Sequence, residues 1–348
     1  MGTKPMKFSL SLPFFRRFGE PSPWREMFDL ATLAEEMGFD TITIGHHHFQ
    51  MGYPSDPLTL MAAIAARTER LKVGTGIFQL PLHHPIRVAE QVATIDEMSG
   101  GRASIGVGLG WWDLEYEALQ VPMRERGARM DEALQIMRLA WTQENISWNG
   151  RFWSFPELTV YPRPVQRPNP PLYVAGGAAT SVDRAARLGD AWLCSPSETM
   201  ANAIRWSNVY KARRAELGKS PDWFLRRYVW IGTDRAAIER DVLPTYVGGL
   251  MAHLREAAED PENKALLARI DAGEDVTAEI ADDRLLWGAP EDIIRQTERY
   301  RDLTGCDHMH VAFAMGLPAD TAFSYMGDYE SISAMVRLFG TEVIAAFR

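Results

Sequence analysis

The sequence predicts an α/β protein whose eight parallel strands close into a (β/α)8 TIM barrel carrying insertions. Three observations lead there. Apolar strand-like runs alternate with helical patterns almost from end to end. About eight such pairs fit a chain of 348 residues, a number that favours a closed barrel over an open doubly wound sheet. Glycine-rich segments follow directly on two of the strands, at the carboxyl ends where barrels place ligands.

Residues 71–112 form the clearest unit. A strand from Leu71 to Phe78 enters a proline-marked turn at Pro81 and His84-Pro85, and Ile86, Ala89, Val92, Ala93 and Ile95 then recur at helical spacing. That helix stops at Ser99-Gly100-Gly101, and a strand from Ala103 to Val107 opens into Gly108-Leu109-Gly110-Trp111. Upstream lie a strand Lys7–Pro13, a helix Trp24–Met37 closed by Gly38, a strand Asp40–Gly45 and a helix Pro57–Arg67 begun by proline. Downstream, Asp113–Leu119 and Arg124–Trp141 read as helices, and Ile146–Phe155 as a hairpin turning at Asn149-Gly150. The proline-rich stretch Tyr161–Pro171 connects to a strand Leu172–Ala175. Helix from about Ser181 to Leu188, strand Ala191–Cys194, helix from about Met200 to Leu217, strand Leu225–Ile231 and a helix near Asp234 follow. Residues 244–286 are charged with a mixed helical pattern and are expected as an insertion over one end of a single domain spanning 1–348. A helix Ala289–Asp302, a last strand His308–Ala314 and a closing helical region Thr321–Phe347 complete the alternation.

Composition narrows the function classes. With 46% hydrophobic and 24% charged residues, the chain has the make-up of an ordinary soluble globular protein. A formal net charge of -9 without a basic stripe argues against nucleic acid as a partner. The pairs Arg16-Arg17, Arg213-Arg214 and Arg226-Arg227 are isolated and are expected as solvated faces or salt-bridge partners. Cys194 and Cys306 stand far apart with no metal-ligand spacing, as in a reducing cytosol. No leader-like start or membrane-length apolar run is apparent, so the expected location is cytoplasmic, with no membrane partner.

The candidate chemistry sits at strand ends. The second strand runs into Gly45-His46-His47-His48-Phe49. Side chains alternate along a strand, so Ile42 and Ile44 face the helices while Thr43, Gly45 and His47 face the barrel interior. Imidazole titrates near neutrality, and this parity makes His47 the candidate for proton transfer. His46 and His48 either cap the strand end or bind a metal. The metal reading needs a third ligand that no carboxylate or cysteine in the sequence supplies, so no metal is expected. A second glycine cluster, Val174–Thr180, ends the fifth barrel strand and begins a helix, whose free N–H groups attract phosphate. Gly176 and Gly177 permit close approach; Thr180 offers its hydroxyl either to a phosphate or to the helix as an N-cap. Neither glycine segment has dinucleotide spacing, since GVGLGW lacks the third glycine.

Four segments, GFDTITIGHHHF, VGTGIFQLPLHHP, RVAEQVATIDEMSGGRASIGVGLGW and PLYVAGGAATSVDRAARLGDAWL, together resemble the bacterial luciferase-like flavin-dependent monooxygenases. The likeness covers residues 6–195 and, more weakly, 287–315. It implies a barrel that binds reduced flavin mononucleotide (FMN) at its carboxyl end. It further implies reaction with O2, oxygenation of a small organic substrate, a separate NAD(P)H-flavin reductase, and a homodimer or homotetramer. His47 matches the family's catalytic histidine, although His46 stands where the family has glutamate. Gly76 and Ile77 fall at a peptide bulge that supports the flavin, and Leu109 replaces an arginine facing its phosphate. The cofactor-binding set implied is Gly76, Ile77, Gly108, Trp111, Gly176, Gly177 and Thr180. Trp111, Trp112, Phe14, Phe49 and Met51 are candidates for an apolar substrate wall. Specificity is expected from Gln50–Pro57, from 244–286 and from the last strand end near Met315-Gly316. Two other readings are a related branch that transfers hydride with an 8-hydroxy-5-deazaflavin coenzyme, and a non-catalytic flavin-binding protein.

Overall fold

In the computed structural model, which describes residues 5–13, 24–50, 53–256, 261–313 and 329–348, short apolar segments pair side by side in parallel. The elements in order are β1 (Lys7–Leu12), α1 (Trp24–Glu36), β2 (Thr41–Ile44), α2 (Pro57–Ala65), β3 (Lys72–Gln79), α3 (Pro85–Met98), β4 (Ile105–Gly108), α4 (Asp113–Ala118) and α5 (Arg126–Thr142). A hairpin, β5 (Ile146–Asn149) and β6 (Ser154–Leu158), precedes β7 (Leu172–Ala175), α6 (Ala179–Leu188), β8 (Ala191–Leu193), α7 (Met200–Glu216) and β9 (Trp223–Ile231). Then come α8 (Arg235–Asp241), α9 (Leu243–Glu256), α10 (Pro261–Asp271), α11 (Thr277–Arg284), β10 (Leu285–Gly288), α12 (Pro290–Thr304), β11 (His308–Phe313) and α13 (Tyr329–Leu338), followed by a π-helical turn at Phe339–Ile344. The ring runs β1-β2-β3-β4-β7-β8-β9-β11 and closes on β1, giving the eight-stranded parallel barrel.

Strand parity divides the barrel into two chemistries. Phe8, Leu10, Ile42, Ile44 and Val73 are almost wholly buried against the helical layer. Their neighbours Ser9, Ser11, Thr41 and Thr43 fill the inside with small polar groups. These groups are satisfied inside the barrel: Ser9 Oγ lies 2.6 Å from His308 Nε2 and Thr43 Oγ1 lies 2.6 Å from His310 Nε2. Helices supply the matching outer stripe, as with Val88, Ala89, Val92, Ala93 and Ile95 on α3. The hairpin turn is held against α5 by Glu132, which accepts N–H bonds from Arg151, Phe152 and Trp153 at 3.1 Å each.

Several expectations need correction. Residues 244–286, expected as a charged segment of mixed helical pattern, contain most of α9 together with α10, α11 and, not foreseen, the start of a further strand, β10. β10 pairs with Tyr228–Ile231 of β9, a strand of only four residues with no alternation to announce it. Arg213 behaves as expected, pairing with Asp183 and Glu216, but its neighbour Arg214 is buried, donating to the carbonyls of Gly189 and Ala186. Arg227 is also buried, its guanidinium 5.1 Å from the Tyr300 ring centroid, and Arg226 faces the lumen. An arginine on a strand follows strand parity, so two adjacent ones cannot share one solvated face. Arg16-Arg17, Phe14, Met51 and Met315-Gly316 lie outside the described residues. No helix among the described residues is long and apolar enough to cross a membrane.

Candidate active site

A cavity of about 670 Å³ opens at the carboxyl ends of the barrel strands, within the range of small-molecule sites. It brings together His47, Gly76, Ile77, Gly108, Trp111, Gly176 and Gly177. Thr180 is not among the lining residues: it is exposed, whereas Ser181 lines the cavity, its hydroxyl accepting from the Ala178 N–H and donating to the Ala178 carbonyl. Helical geometry turns side chains by about 100° per residue, so a one-residue offset at a helix start decides which hydroxyl points inward. Of the expected apolar wall, Trp111 lines the cavity, whereas Phe49 and Trp112 do not.

His47 is held by a carboxylate that sequence reading missed. Glu115, fully buried on α4, places Oε1 3.1 Å from His47 Nδ1 and also accepts from the His48 N–H at 2.6 Å and Gln79 Nε2 at 2.9 Å. The two Gln79 amide hydrogens are taken by Glu115 and by the His46 carbonyl at 3.0 Å. None is left for His47, so its Nδ1–H donates to Glu115 and Nε2 is the nitrogen that carries the lone pair. Burial acts to raise the Glu115 pKa, but the bonds from His47, His48 and Gln79 outweigh it and hold the pKa below the usual carboxylate range. The signal available was weak: Glu115 is an acidic residue beside Tyr116 in a six-residue helix, and its burial depends on where that helix lands. Gln79 had no parity signal either, because counting by twos from Val73 puts it on the helix-facing side, and only beyond the β3–β4 register slip between Gly76 and Phe78 do Ile77 and Gln79 line the cavity.

His46 serves a different purpose. It is buried, stacked on Phe78 at 4.9 Å, and its Nδ1 accepts the Gln79 N–H at 3.1 Å, tying the ends of β2 and β3 together. Burial first, then the neighbouring imidazoles His83, His48 and His47, push its pKa down to about 2. His83 supplies the third imidazole that the sequence did not place beside His46 and His48, with ligand nitrogens within 4.8 Å of one another. The Gln79 N–H nevertheless requires a lone pair on His46 Nδ1. The ring proton therefore sits on Nε2, directed at His48 Nε2 3.1 Å away, and that nitrogen offers no lone pair to an ion.

The floor of the cavity carries Arg226, which donates to the Gly76 carbonyl and to His310 Nδ1, both at 3.2 Å. The Gly76–Ile77 peptide is cis, and the β3–β4 register slips there. At Gly110, φ is +74° and an added β-carbon would come within 2.7 Å of Gln79 Oε1, so the loop needs glycine to lie this close to β3. Tyr116 anchors the same loop by donating to the Leu109 carbonyl. Gly176, at φ +151°, has its carbonyl bonded by Trp192 Nε1 at 2.8 Å, while Ser181 Oγ accepts from the Ala178 N–H at 3.1 Å.

A barrel with a histidine–carboxylate pair at one side of its mouth and two glycine loops around it defines a class of ligand-dependent barrel proteins, and the comparisons narrow it. The luciferase-like monooxygenase family model matches residues 6–306, and the chain belongs to that family. It is 32% identical over 219 residues to an FMNH2-dependent dimethylsulfone monooxygenase of Pseudomonas putida, covering 61% of this chain and 57% of that protein. It is equally 32% identical, over 195 residues, to an F420-dependent glucose-6-phosphate dehydrogenase of Nocardia farcinica, covering 53% of this chain and 57% of the relative. These matches span little more than half the length of either relative. The structure of monooxygenase RslO1 from Streptomyces bottropensis superposes with a TM-score of 0.80 at 25% identity, covering 99% of this chain and 100% of the other.

Proposed function

We propose that this protein is an oxidoreductase that uses reduced FMN and O2 to oxygenate a small organic substrate, the reduced flavin being supplied by a separate NAD(P)H-flavin reductase. The observation that carries the reading is the His47–Glu115 pair set between the two glycine loops of one cavity. The cavity suits a flavin: glycine backbone approaches closely at Gly110 and Gly176, and Gln79 Oε1 and Glu115 Oε2 are buried without a protein partner. Gly76 and Ile77 would lie against the ring system, with Gly108, Trp111, Gly176, Gly177 and Ser181 toward the ribityl phosphate. The electrons for oxygen reduction come from bound reduced flavin, a chemistry that the side chains alone do not possess.

The protein's own contribution is positional. Glu115 fixes the tautomer of His47, whose Nε2 gives or takes the proton that oxygen chemistry requires. Trp111 and Tyr53 stand edge-on to the His47 ring at 6.0 and 4.7 Å and keep water from it. Leu109, by lacking charge at the phosphate end, favours a second reading, hydride transfer with an 8-hydroxy-5-deazaflavin coenzyme.

Anaerobic titration with reduced FMN and with reduced deazaflavin separates the two. Saturable FMN binding at least about tenfold tighter than deazaflavin binding is expected. The opposite preference, with no oxygen uptake above that of free reduced flavin, would replace the first reading by the second.

A further inference from the structure

The outward side of β9 carries a group that the active cavity does not use. Arg226 points into the barrel, so Arg227 points away from it, into the layer between β9, β10 and α12, where it is wholly buried. Its Nη1 donates to the Arg226 carbonyl at 2.9 Å and the ring of Tyr300 covers it, yet Nε and Nη2 are buried without a partner. Those two nitrogens form one edge of the guanidinium, the fork that takes an oxyanion through two parallel N–H bonds. Arg284 stands beside it, because the β9–β10 register pairs Tyr228 with Leu285, the residues that follow the two arginines. Arg284 is also buried, with Nη1 3.2 Å from Asp283 Oδ2 and Nε unpartnered. On α12 opposite, Tyr300 donates to the Asp282 carbonyl at 3.3 Å and Gln296 bonds the N–H and the carbonyl of Trp287. Between these two contacts lies Thr297, fully buried, its hydroxyl likewise unpartnered.

Among the described residues no carboxylate lies within ion-pair distance of Arg227. Asp283 serves Arg284 and accepts the Met200 N–H at 2.8 Å, while Asp282 accepts from Trp287 Nε1 at 2.8 Å. A guanidinium in a low dielectric needs a counter-charge and an acceptor for each donor. The geometry points to a site for a small oxyanion, a carboxylate or a phosphate, held by Nε and Nη2 of Arg227 with Arg284 Nε and Thr297 Oγ1 and locking the end of α11 onto the barrel. Entry is from the cavity of about 700 Å³ between α7, α10, α11 and α12, which Arg284 and Tyr300 line. The site lies on the opposite face of β9 from the active cavity and does not depend on the flavin reading.

The test measures thermal midpoints of the full chain after dialysis into chloride, with formate or inorganic phosphate then added at millimolar concentration and constant ionic strength. Low concentrations avoid the general stabilisation that concentrated phosphate gives any protein. For the wild-type protein a saturable rise of about 2–4 °C with at least one of the two is expected, the larger response telling a carboxylate site from a phosphate site. Thr297→Val preserves side-chain shape and is expected to need about fivefold more anion for the same rise. Arg227→Met should show no rise at all. Identical wild-type midpoints in chloride, formate and phosphate would overturn the proposal and leave the donors to buried water. An undiminished response in either variant would overturn it too, by placing the anion elsewhere, and Thr297→Val decides the matter should Arg227→Met fail to fold.

Discussion

The two ends of the cavity are built differently. Where β2 and β3 end, side chains from three elements interlock: His46, His47 and His48, Gln79 and Glu115 are joined by bonds of 2.6–3.1 Å, and His46 Nδ1 also fixes β3 backbone. Where β7 and β8 end, the walls are backbone and small side chains: Gly176, Gly177, Ala178, Ser181 and Ser195, with Glu198 above them. Preorganised side chains suit a task in which a proton must arrive at one place, because their reorganisation is already complete. Backbone N–H groups at a helix start suit a group that is gripped and released.

The largest effect should come from the interlocked end. His47→Ala is expected to lower turnover by about 10²–10⁴-fold with flavin affinity nearly unchanged. Glu115→Gln should cost about 10²-fold, since His47 loses the acceptor that fixes its tautomer and orientation. Wild-type rates from His47→Ala would remove that residue from the chemistry altogether.

Next in size is an effect on folding. Burial depresses the pKa values of His46 to about 2, His83 to about 4 and His308 to about 3. The folded protein leaves these rings neutral, while the unfolded chain protonates them near the ordinary histidine value of about 6.5. Stability is thus complete above that pH and declines as pH falls from about 6.5 toward 4, by up to about 1.4 kcal/mol per pH unit for each fully buried ring. Thermal midpoints recorded between pH 7.5 and 4.5 will show the slope, and His46→Gln should reduce it. A flat profile would mean that the rings are protonated in the fold.

The phosphate end should respond least. Ser181→Ala is expected to weaken FMN by about fivefold, the worth of one hydrogen bond, and to spare riboflavin. Thr180→Val, altering an exposed side chain, should change neither. Titration of the two variants with both flavins reverses the assignment if Thr180 proves the sensitive one.

What could be read beforehand follows from periodicity. The strands of the ring, the hairpin and the inward position of His47 follow from alternation and turn chemistry, which are local. Glu115 and His83 were not legible because their meeting with His47 and His46 depends on where α4 and the turn before α3 settle after the barrel closes. Ser181 was missed in favour of Thr180 by a single residue, within the usual uncertainty of a helix start. Arg226 carried the parity signal, on the same face as Tyr228, but as half of a charged pair it was assigned to the surface.

Gln79 joins parts of the mouth that are remote in sequence: its amide bonds the β2 end and α4, its backbone N–H meets His46, and its Oε1 lies where a side chain at position 110 would have to go. The seating of the β4 loop and the aim of His47 are therefore two readings of one side chain. Changes at Gly110, Gln79, Glu115 and His47 should not combine additively, and any drift of the mouth toward new substrates has to carry these four positions together.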